Sequence, residues 1–138
     1  MQQTLSILTF QTRGVGLYEV TDEIGEWIAG TGIARGILTL FCQHTSAGLL
    51  ITENASSAVH RDLVRWLAAA VPERAGYEHA DEGPDDMPAH IKTMLTGSGL
   101  TVPVSEGRMM LGTWQGVFLA EHRADPHRRS VAAHIAGD

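Results

Sequence analysis

Apolar and polar residues alternate in some segments of this chain and follow a helical period in others. Alternation over residues 3–11 predicts a first strand. The segment 35–43 is apolar and β-branched without clean alternation, which predicts a strand buried on both faces. Similar patterns predict four further strands, at about 49–52, 99–105, 109–122 and 129–135.

Three other segments carry apolar residues at helical spacing. They predict a short helix from about residue 21, a longer one over 54–71 and a third over 87–95. Residues 73–86 lose all periodicity, as long functional loops do. No repeat or linker divides the chain. We therefore expect one α+β domain over residues 1–138, with a largely antiparallel sheet packed against two or three helices.

The composition narrows the class of protein. With 138 residues, 43% of them hydrophobic and 19% charged, the chain suits one globular domain and is too short for a (β/α)₈ barrel of upward of about 200 residues. A formal charge of −6 disfavours nucleic-acid and anionic-membrane partners. Neither a signal peptide nor a membrane span is expected. The single cysteine, Cys42, excludes an internal disulfide and favours the cytoplasm.

Acidic residues are concentrated in the long loop. Residues 77–86 contain five carboxylates and His79, whose mutual repulsion favours a nearby cation, although a solvated acidic loop is the simpler interpretation. His90 follows at the start of the third predicted helix, where the helix dipole favours the neutral, metal-binding imidazole. His79 and His90 are therefore predicted to be a pair of metal ligands.

Cys42 and His44 lie at the end of a predicted strand. A thiol beside a base is one interpretation, and core packing of the cysteine is the stronger one. His44 opens a polar bend, and the helix start that follows suits a phosphate. Polar side chains expected around His44 are Thr45, Ser46, Glu53 and Asn54.

The segment 112–116 (Gly-Thr-Trp-Gln-Gly) is unusual within an apolar strand. Its two glycines predict a bulge or a close backbone approach. Trp114 is interpreted as a buried residue with its N–H satisfied. Residues 121–123 and 127–129 form a polar rim that offers anion or metal contacts.

Several motifs together resemble one family. They are Gln-His-Thr-Ser-Ala at 43–47, Pro-Ala-His-Ile-Lys at 88–92, Gly-Thr-Trp-Gln at 112–115 and Glu-His-Arg at 121–123. From about residue 3 to residue 136 the chain resembles the YjbQ-type family, small bacterial and archaeal proteins often described as secondary thiamine-phosphate synthases. Thr52 departs from the family pattern, which has Asn there, and so does His60, where a basic residue is usual.

The resemblance implies an α+β homotrimer with a polar cleft near the subunit boundary. It also implies that His44, His79 and His90 cluster around a divalent metal, with Mg²⁺, Mn²⁺ and Zn²⁺ as the alternatives. The residues then expected to act in catalysis are Glu53, Asp85, Lys92 and Glu121. Those expected to bind the substrate are Thr45, Ser46, Asn54, Trp114, Gln115, Arg128 and Arg129.

Three functions are open at this point. The first joins a pyrimidine methyl pyrophosphate to a thiazole phosphate and releases pyrophosphate, as a weak or secondary activity, with a metal and the cations of Lys92, Arg128 or Arg129 holding the phosphates. The second is a metal-dependent hydrolase of a small phosphate or ester, with Glu53 as the base. The third is a trimeric ligand-binding or regulatory module without turnover. If the protein has the first of these functions, it binds a small phosphorylated ligand.

Overall fold

Eight strands and three helices make up the chain, and the computed structural model describes every residue from Met1 to Asp138. The strands are β1 (Gln2–Gln11), β2 (Gly16–Glu19), β3 (Gly36–Cys42), β4 (Ala47–Glu53), β5 (Gly99–Ser105), β6 (Arg108–Met109), β7 (Gln115–Glu121) and β8 (Arg128–Gly137). The helices are α1 (Thr21–Thr31), α2 (Ser57–Ala70) and α3 (Asp86–Thr96). None of these helices has the length and apolar character needed to cross a membrane.

The strands form two sheets. One has five strands in the order β1-β8-β3-β5-β6, and the other has three in the order β2-β7-β4. Every neighbouring pair is antiparallel. The predicted α+β class with a largely antiparallel sheet is confirmed, with the refinement that the strands divide between two sheets.

A single cluster of 16 buried apolar residues forms the core. It joins α1 to strands of both sheets, because the apolar stripe of α1 and the inward-facing residues of the strands meet there. Cys42 belongs to this cluster and is 1% exposed, so its interpretation as a core residue is confirmed. The inward residues of α1, β3 and β7 include Ile24, Ile28, Leu38, Leu40, Val117 and Leu119.

The prediction that β3 is buried on both faces is wrong. Leu38 and Leu40 face the core, but Ile37 and Phe41 are 48% and 53% exposed. Successive side chains of a strand point to opposite faces of its sheet, so an unbroken apolar run places half its residues outside. The outer face of the five-stranded sheet is therefore both apolar and exposed.

The expected strand 109–122 is divided in two. Residues 110–114 leave the sheet between β6 and β7, and the backbone N–H of Gly112 donates a hydrogen bond of 2.8 Å to the side chain of Gln115. Trp114 is 63% exposed, which corrects its interpretation as a buried residue. The close approach predicted from the glycines is found at Gly116, where an added Cβ would lie 2.6 Å from a carboxylate oxygen of Glu19.

Candidate metal centre

Three polar side chains converge at the start of α3. Two of them, His79 and His90, were predicted site residues, and the third is Asp86. Asp86 is the first residue of the helix, and His90 lies one turn later on the same face. The loop before α3 brings His79 over both. The Nε2 atoms of His79 and His90 lie 2.7 and 3.1 Å from Oδ2 of Asp86. One ligand atom from each of these three residues lies within 4.8 Å of the others, close enough for one ion to contact all three.

Arg123 orients the carboxylate of Asp86. Its Nη1 donates to Oδ1 of Asp86 at 2.7 Å, and its Nε donates to Oδ2 of Asp85 at 2.9 Å. Asp85, predicted to be catalytic, also accepts the backbone N–H of Ala124 at 2.8 Å. Asp85 therefore anchors Arg123, and Arg123 leaves only Oδ2 of Asp86 to face the histidines.

The hydrogen bond of His90 determines its tautomer. Nδ1 lies 3.0 Å from the backbone oxygen of Thr45, and a carbonyl oxygen only accepts, so Nδ1 carries the proton. In a neutral ring Nε2 then presents its lone pair to Oδ2 of Asp86. Two acceptors 3.1 Å apart require a proton or another cation between them. A backbone carbonyl that fixes the outer nitrogen is also the usual support of a metal-bound histidine.

The charges at this site shift two pKa values. The hydrogen bond with Asp86 raises the pKa of His79, and the charges of Asp81 and Glu82 act in the same direction. Burial would raise the pKa of Asp86, but the hydrogen bond with His79 and the charges of His90 and Arg123 outweigh it and lower the pKa. The side chain of His79 is 41% exposed, so the site is open to solvent on that side.

His44 is not part of this cluster, which corrects its prediction as the third histidine ligand. Its Nε2 accepts the backbone N–H of Ser130 at 2.7 Å. Burial lowers the pKa of His44, and the charge of Arg129 adds to that effect. The third side chain that lies beside His79 and His90 is the carboxylate of Asp86 instead.

Glu121 and Arg129, predicted to act in catalysis and substrate binding, form an ion pair in the interior. They are 1% and 4% exposed. Arg129 donates from Nε to Oε1 of Glu121 at 2.7 Å and from Nη2 to Oγ of Ser46 at 3.0 Å. Burial would raise the pKa of Glu121, but hydrogen bonds from Arg129 and Thr12 outweigh it and lower the pKa. This pair joins β7 to β8, and we assign it and Ser46 to the framework.

Four other predicted site residues lie at the far end of the β4–β7 ladder. The register runs from Ala47 opposite Glu121 to Glu53 opposite Gln115, about 20 Å of strand. Glu53 accepts the backbone N–H groups of residues 55 and 56 at 3.0 and 2.8 Å, immediately before α2, which does not suit a general base. One chain alone therefore does not bring this end to the histidines. The residues at this end are Glu53, Asn54, Trp114 and Gln115.

The remaining predicted residues are divided between several surfaces. Thr45 is exposed and contributes its carbonyl to His90. Arg128 is exposed at the start of β8. Lys92 is 8% exposed and, two positions after His90, lies on a different face of α3.

Sequence reasoning missed the roles of Asp86 and Arg123. The predicted helix begins directly after Asp86, and His90 follows four residues later. This spacing was a usable signal, since residues four apart share a face where the helix includes both. No local pattern connects Arg123 to Asp86, because β7 brings them together from distant parts of the chain.

Comparison with known proteins agrees with this architecture. The family model described as "UPF0047 protein YjbQ-like" matches residues 6–138. A UPF0047 protein of Synechocystis is 44% identical over 138 residues, covering 99% of this chain and 94% of that protein. The UPF0047 protein YjbQ of Escherichia coli O157:H7 is 42% identical, covering 95% of this chain and 96% of its own length.

Solved structures match over nearly the whole chain. An uncharacterised conserved protein of the YjbQ/UPF0047 family from Clostridium acetobutylicum aligns with a TM-score of 0.88 at 30% identity, covering 95% of this chain and 99% of that one. A YbjQ-like protein of unknown function from Sulfolobus solfataricus aligns with a TM-score of 0.87 at 21% identity, covering 99% and 100%, and shows the fold alone. The chain belongs to the UPF0047 family of YjbQ-like proteins.

Proposed function

We propose that this protein binds a divalent metal through Nε2 of His79, Nε2 of His90 and Oδ2 of Asp86, and uses it on a small substrate. The observation that carries the proposal is the convergence of three ligand atoms. Nε2 of His79 and Nε2 of His90 lie 2.7 and 3.1 Å from Oδ2 of Asp86, and Nδ1 of His90 is held by the carbonyl oxygen of Thr45. A divalent ion would take the place of the proton between His90 and Asp86 and would join all three ligand atoms.

The three donor atoms limit the range of suitable metals. Two imidazole nitrogens and one carboxylate oxygen suit Zn²⁺, Mn²⁺ or Fe²⁺ better than Mg²⁺, which prefers oxygen ligands. Three protein ligands at an exposed site also leave coordination positions for substrate, as in catalytic rather than structural zinc sites.

The first reaction to test is the joining of a pyrimidine methyl pyrophosphate to a thiazole phosphate. The carbon–oxygen bond to pyrophosphate breaks, and the ring nitrogen of the thiazole forms the new bond to that carbon. A divalent metal would neutralise the departing pyrophosphate. Of the two arginines predicted to hold a phosphate, Arg128 is exposed and Arg129 is already paired with Glu121, so Arg128 is the one to test.

The test uses untagged protein, the two precursors and Zn²⁺, Mn²⁺ or Mg²⁺ in turn. We expect thiamine phosphate and pyrophosphate in equal amounts, with no product from His90→Ala. If no metal supports product formation, and the gene does not rescue a strain that lacks the usual synthase, this reaction is excluded while the metal site itself stands.

Hydrolysis of a small ester is the second candidate, favoured by the charge around the metal centre. The adjoining cleft is lined by Glu78, His79 and Asp81, together with Tyr77 and Met87. Acidic walls suit a neutral ester better than a pyrophosphate. Ester and phosphate substrates assayed with and without a chelator distinguish the two functions. Ligand-induced shifts in Tm without any product would instead support the binding module.

The outer face of the five-stranded sheet supports the proposed homotrimer. Leu5, Ile7, Ile37 and Phe41 are 48–66% exposed on β1 and β3. Contiguous apolar patches of this kind mark interaction surfaces. The register places them on one face with residues of β8 and β5, namely Ala132, His134, Ala136, Thr101 and Pro103.

Light scattering coupled to gel filtration tests the assembly. We expect the mass of three chains for the unmodified protein and of one chain for Phe41→Asp. Met94→Asp, which changes an exposed residue of α3, is the matched control and should leave the mass unchanged. A monomeric unmodified protein would contradict the proposal.

A further inference from the structure

One histidine lies at the centre of the apolar outer face of the five-stranded sheet. His134 is on β8, directly opposite Leu5 of β1 and Thr39 of β3. Its neighbours along β8 on the same face are Ala132 and Ala136. The residues diagonal to it on β1 and β3 are Gln3, Ile7, Ile37 and Phe41. None of these neighbours is ionisable, so the charge at the centre of this face depends on His134 alone.

Charged residues occur only at the margins of this face. Arg128 lies at the start of β8, and Arg108 lies on β6, three strands away from β8. Arg35 and the ion pair between the ammonium of Met1 and the carboxylate of Asp138 lie at the opposite end. The chain carries a formal charge of −6, so its acidic surfaces repel a second copy and an uncharged face does not. A second copy is therefore the partner that this face suits.

The hydrogen bond of His134 leaves one ring nitrogen free to take up a proton. Nε2 lies 2.9 Å from Oε1 of Gln3, and an amide oxygen accepts, so Nε2 carries the proton of the neutral ring. Nδ1 then holds a lone pair and has no hydrogen-bond partner within the chain. His134 is half-buried, and a second copy over this face would remove its remaining contact with water. A protonated ring would be costly there, because burial disfavours an ion without a counterion.

We infer that His134 makes the assembly of the chains dependent on pH, because the neutral ring permits association and the protonated ring opposes it. This inference rests on the proposed homotrimer. Imidazoles take up a proton between about pH 5 and 8, so the chains associate at about pH 8 and separate as the pH falls towards about 5. Each proton released on association changes the association constant by up to about tenfold per pH unit, which is up to about a thousandfold for three chains.

Sedimentation equilibrium of the metal-free protein between about pH 8 and 5 measures the association constant, and circular dichroism confirms the fold at each pH. We expect a trimer at the upper limit and a folded monomer at the lower one. His134→Gln cannot be protonated and should stay trimeric throughout. His127→Gln removes a histidine just before β8 and is the matched control, which should dissociate as the unmodified protein does. Equal dissociation of the unmodified protein and His134→Gln would overturn the inference, and so would an unmodified protein that stays trimeric in acid.

A permanent charge at the same position tests the inference without acid. His134→Lys is charged at about pH 8 and should be a monomer there, whereas His134→Gln should be a trimer. This pair of variants decides the question if acid unfolds the unmodified protein. A trimeric His134→Lys would contradict the inference and leave the homotrimer standing. A monomeric unmodified protein at about pH 8 would instead overturn the homotrimer, and this inference with it. All these measurements use metal-free protein, so their outcome is independent of the proposed metal function.

Discussion

The protein contains two arginine–carboxylate pairs that differ in what the carboxylate contacts. Arg129 holds Glu121 in the interior, and Arg123 holds Asp86 at the start of α3. In the interior, Glu121 has both oxygens occupied by protein donors from Arg129, Thr12 and the backbone. At the start of α3, Arg123 takes only one oxygen of Asp86 and leaves the other to two imidazoles. A closed pair stabilises the fold, whereas a pair with one open oxygen can hold a metal.

The largest expected effect comes from breaking the closed pair. Glu121→Ala leaves Arg129 charged and buried, and should lower the free energy of unfolding by about 3–5 kcal/mol. Urea unfolding of the metal-free protein measures it. Asp86→Ala should lower the free energy of unfolding much less, because Arg123 is partly exposed and still has its ion pair with Asp85. Equal losses in the two variants would remove the distinction between the regions.

Removal of a proposed metal ligand should have the next largest effect. His90→Ala deletes one of three donors and should weaken Zn²⁺ binding by more than the roughly 10- to 100-fold that loss of an outer partner costs. Competition with a chelating dye measures the affinity, and circular dichroism confirms the fold. A variant with unchanged affinity would show that His90 is not a ligand.

Arg123 should act on the metal without touching it. Arg123→Gln frees Asp86 to rotate and should reduce Zn²⁺ affinity by roughly 10- to 100-fold, with all three ligands still present. Arg74→Gln removes an arginine that lies exposed in the loop before α3 and is the control for a general loss of positive charge. If both variants bind equally well, the orienting role is wrong.

Acid should weaken metal binding, because protons compete with the metal for the ligand atoms. Each competing proton should lower the affinity by up to about tenfold per pH unit. The pKa of His79 is raised by Asp86, so competition at this ring begins at a higher pH than for an ordinary imidazole. In the metal-free protein, acid has the opposite effect on folding stability at this contact. The contact between His79 and Asp86 stabilises the fold at lower pH and is lost as pH rises through the raised pKa of His79. Calorimetric titrations in buffers of different ionisation enthalpy count the protons released.

The smallest effect is expected at the residues that the structure separates from the cluster. His44→Ala and Trp114→Ala should leave Zn²⁺ affinity within about twofold, because neither side chain lies among the three ligand atoms. A tenfold loss in His44→Ala would restore His44 to the site.

Periodicity and charge predicted a large part of this molecule. Five of the six predicted strands, the three helices and the proximity of His79 to His90 follow from local patterns, and the chain shows them. The predicted strand 109–122 is divided, and β2 was not predicted. The role of His44 could not be predicted, because it depends on a hydrogen bond to Ser130 on a distant strand. The exposure of one face of β3 was missed for a similar reason. An apolar run does not show whether another layer of the same chain covers both faces of the sheet.

The proposed metal site depends on Asp86, which completes it with His79 and His90. Zn²⁺ titration of metal-free, untagged protein against a chelating dye tests it most directly, with Asp86→Asn and the matched loop variant Glu78→Gln measured in parallel. We predict one tightly bound equivalent per chain for the unmodified protein and for Glu78→Gln, and its loss in Asp86→Asn. Equal stoichiometry and affinity in all three proteins would contradict the claim.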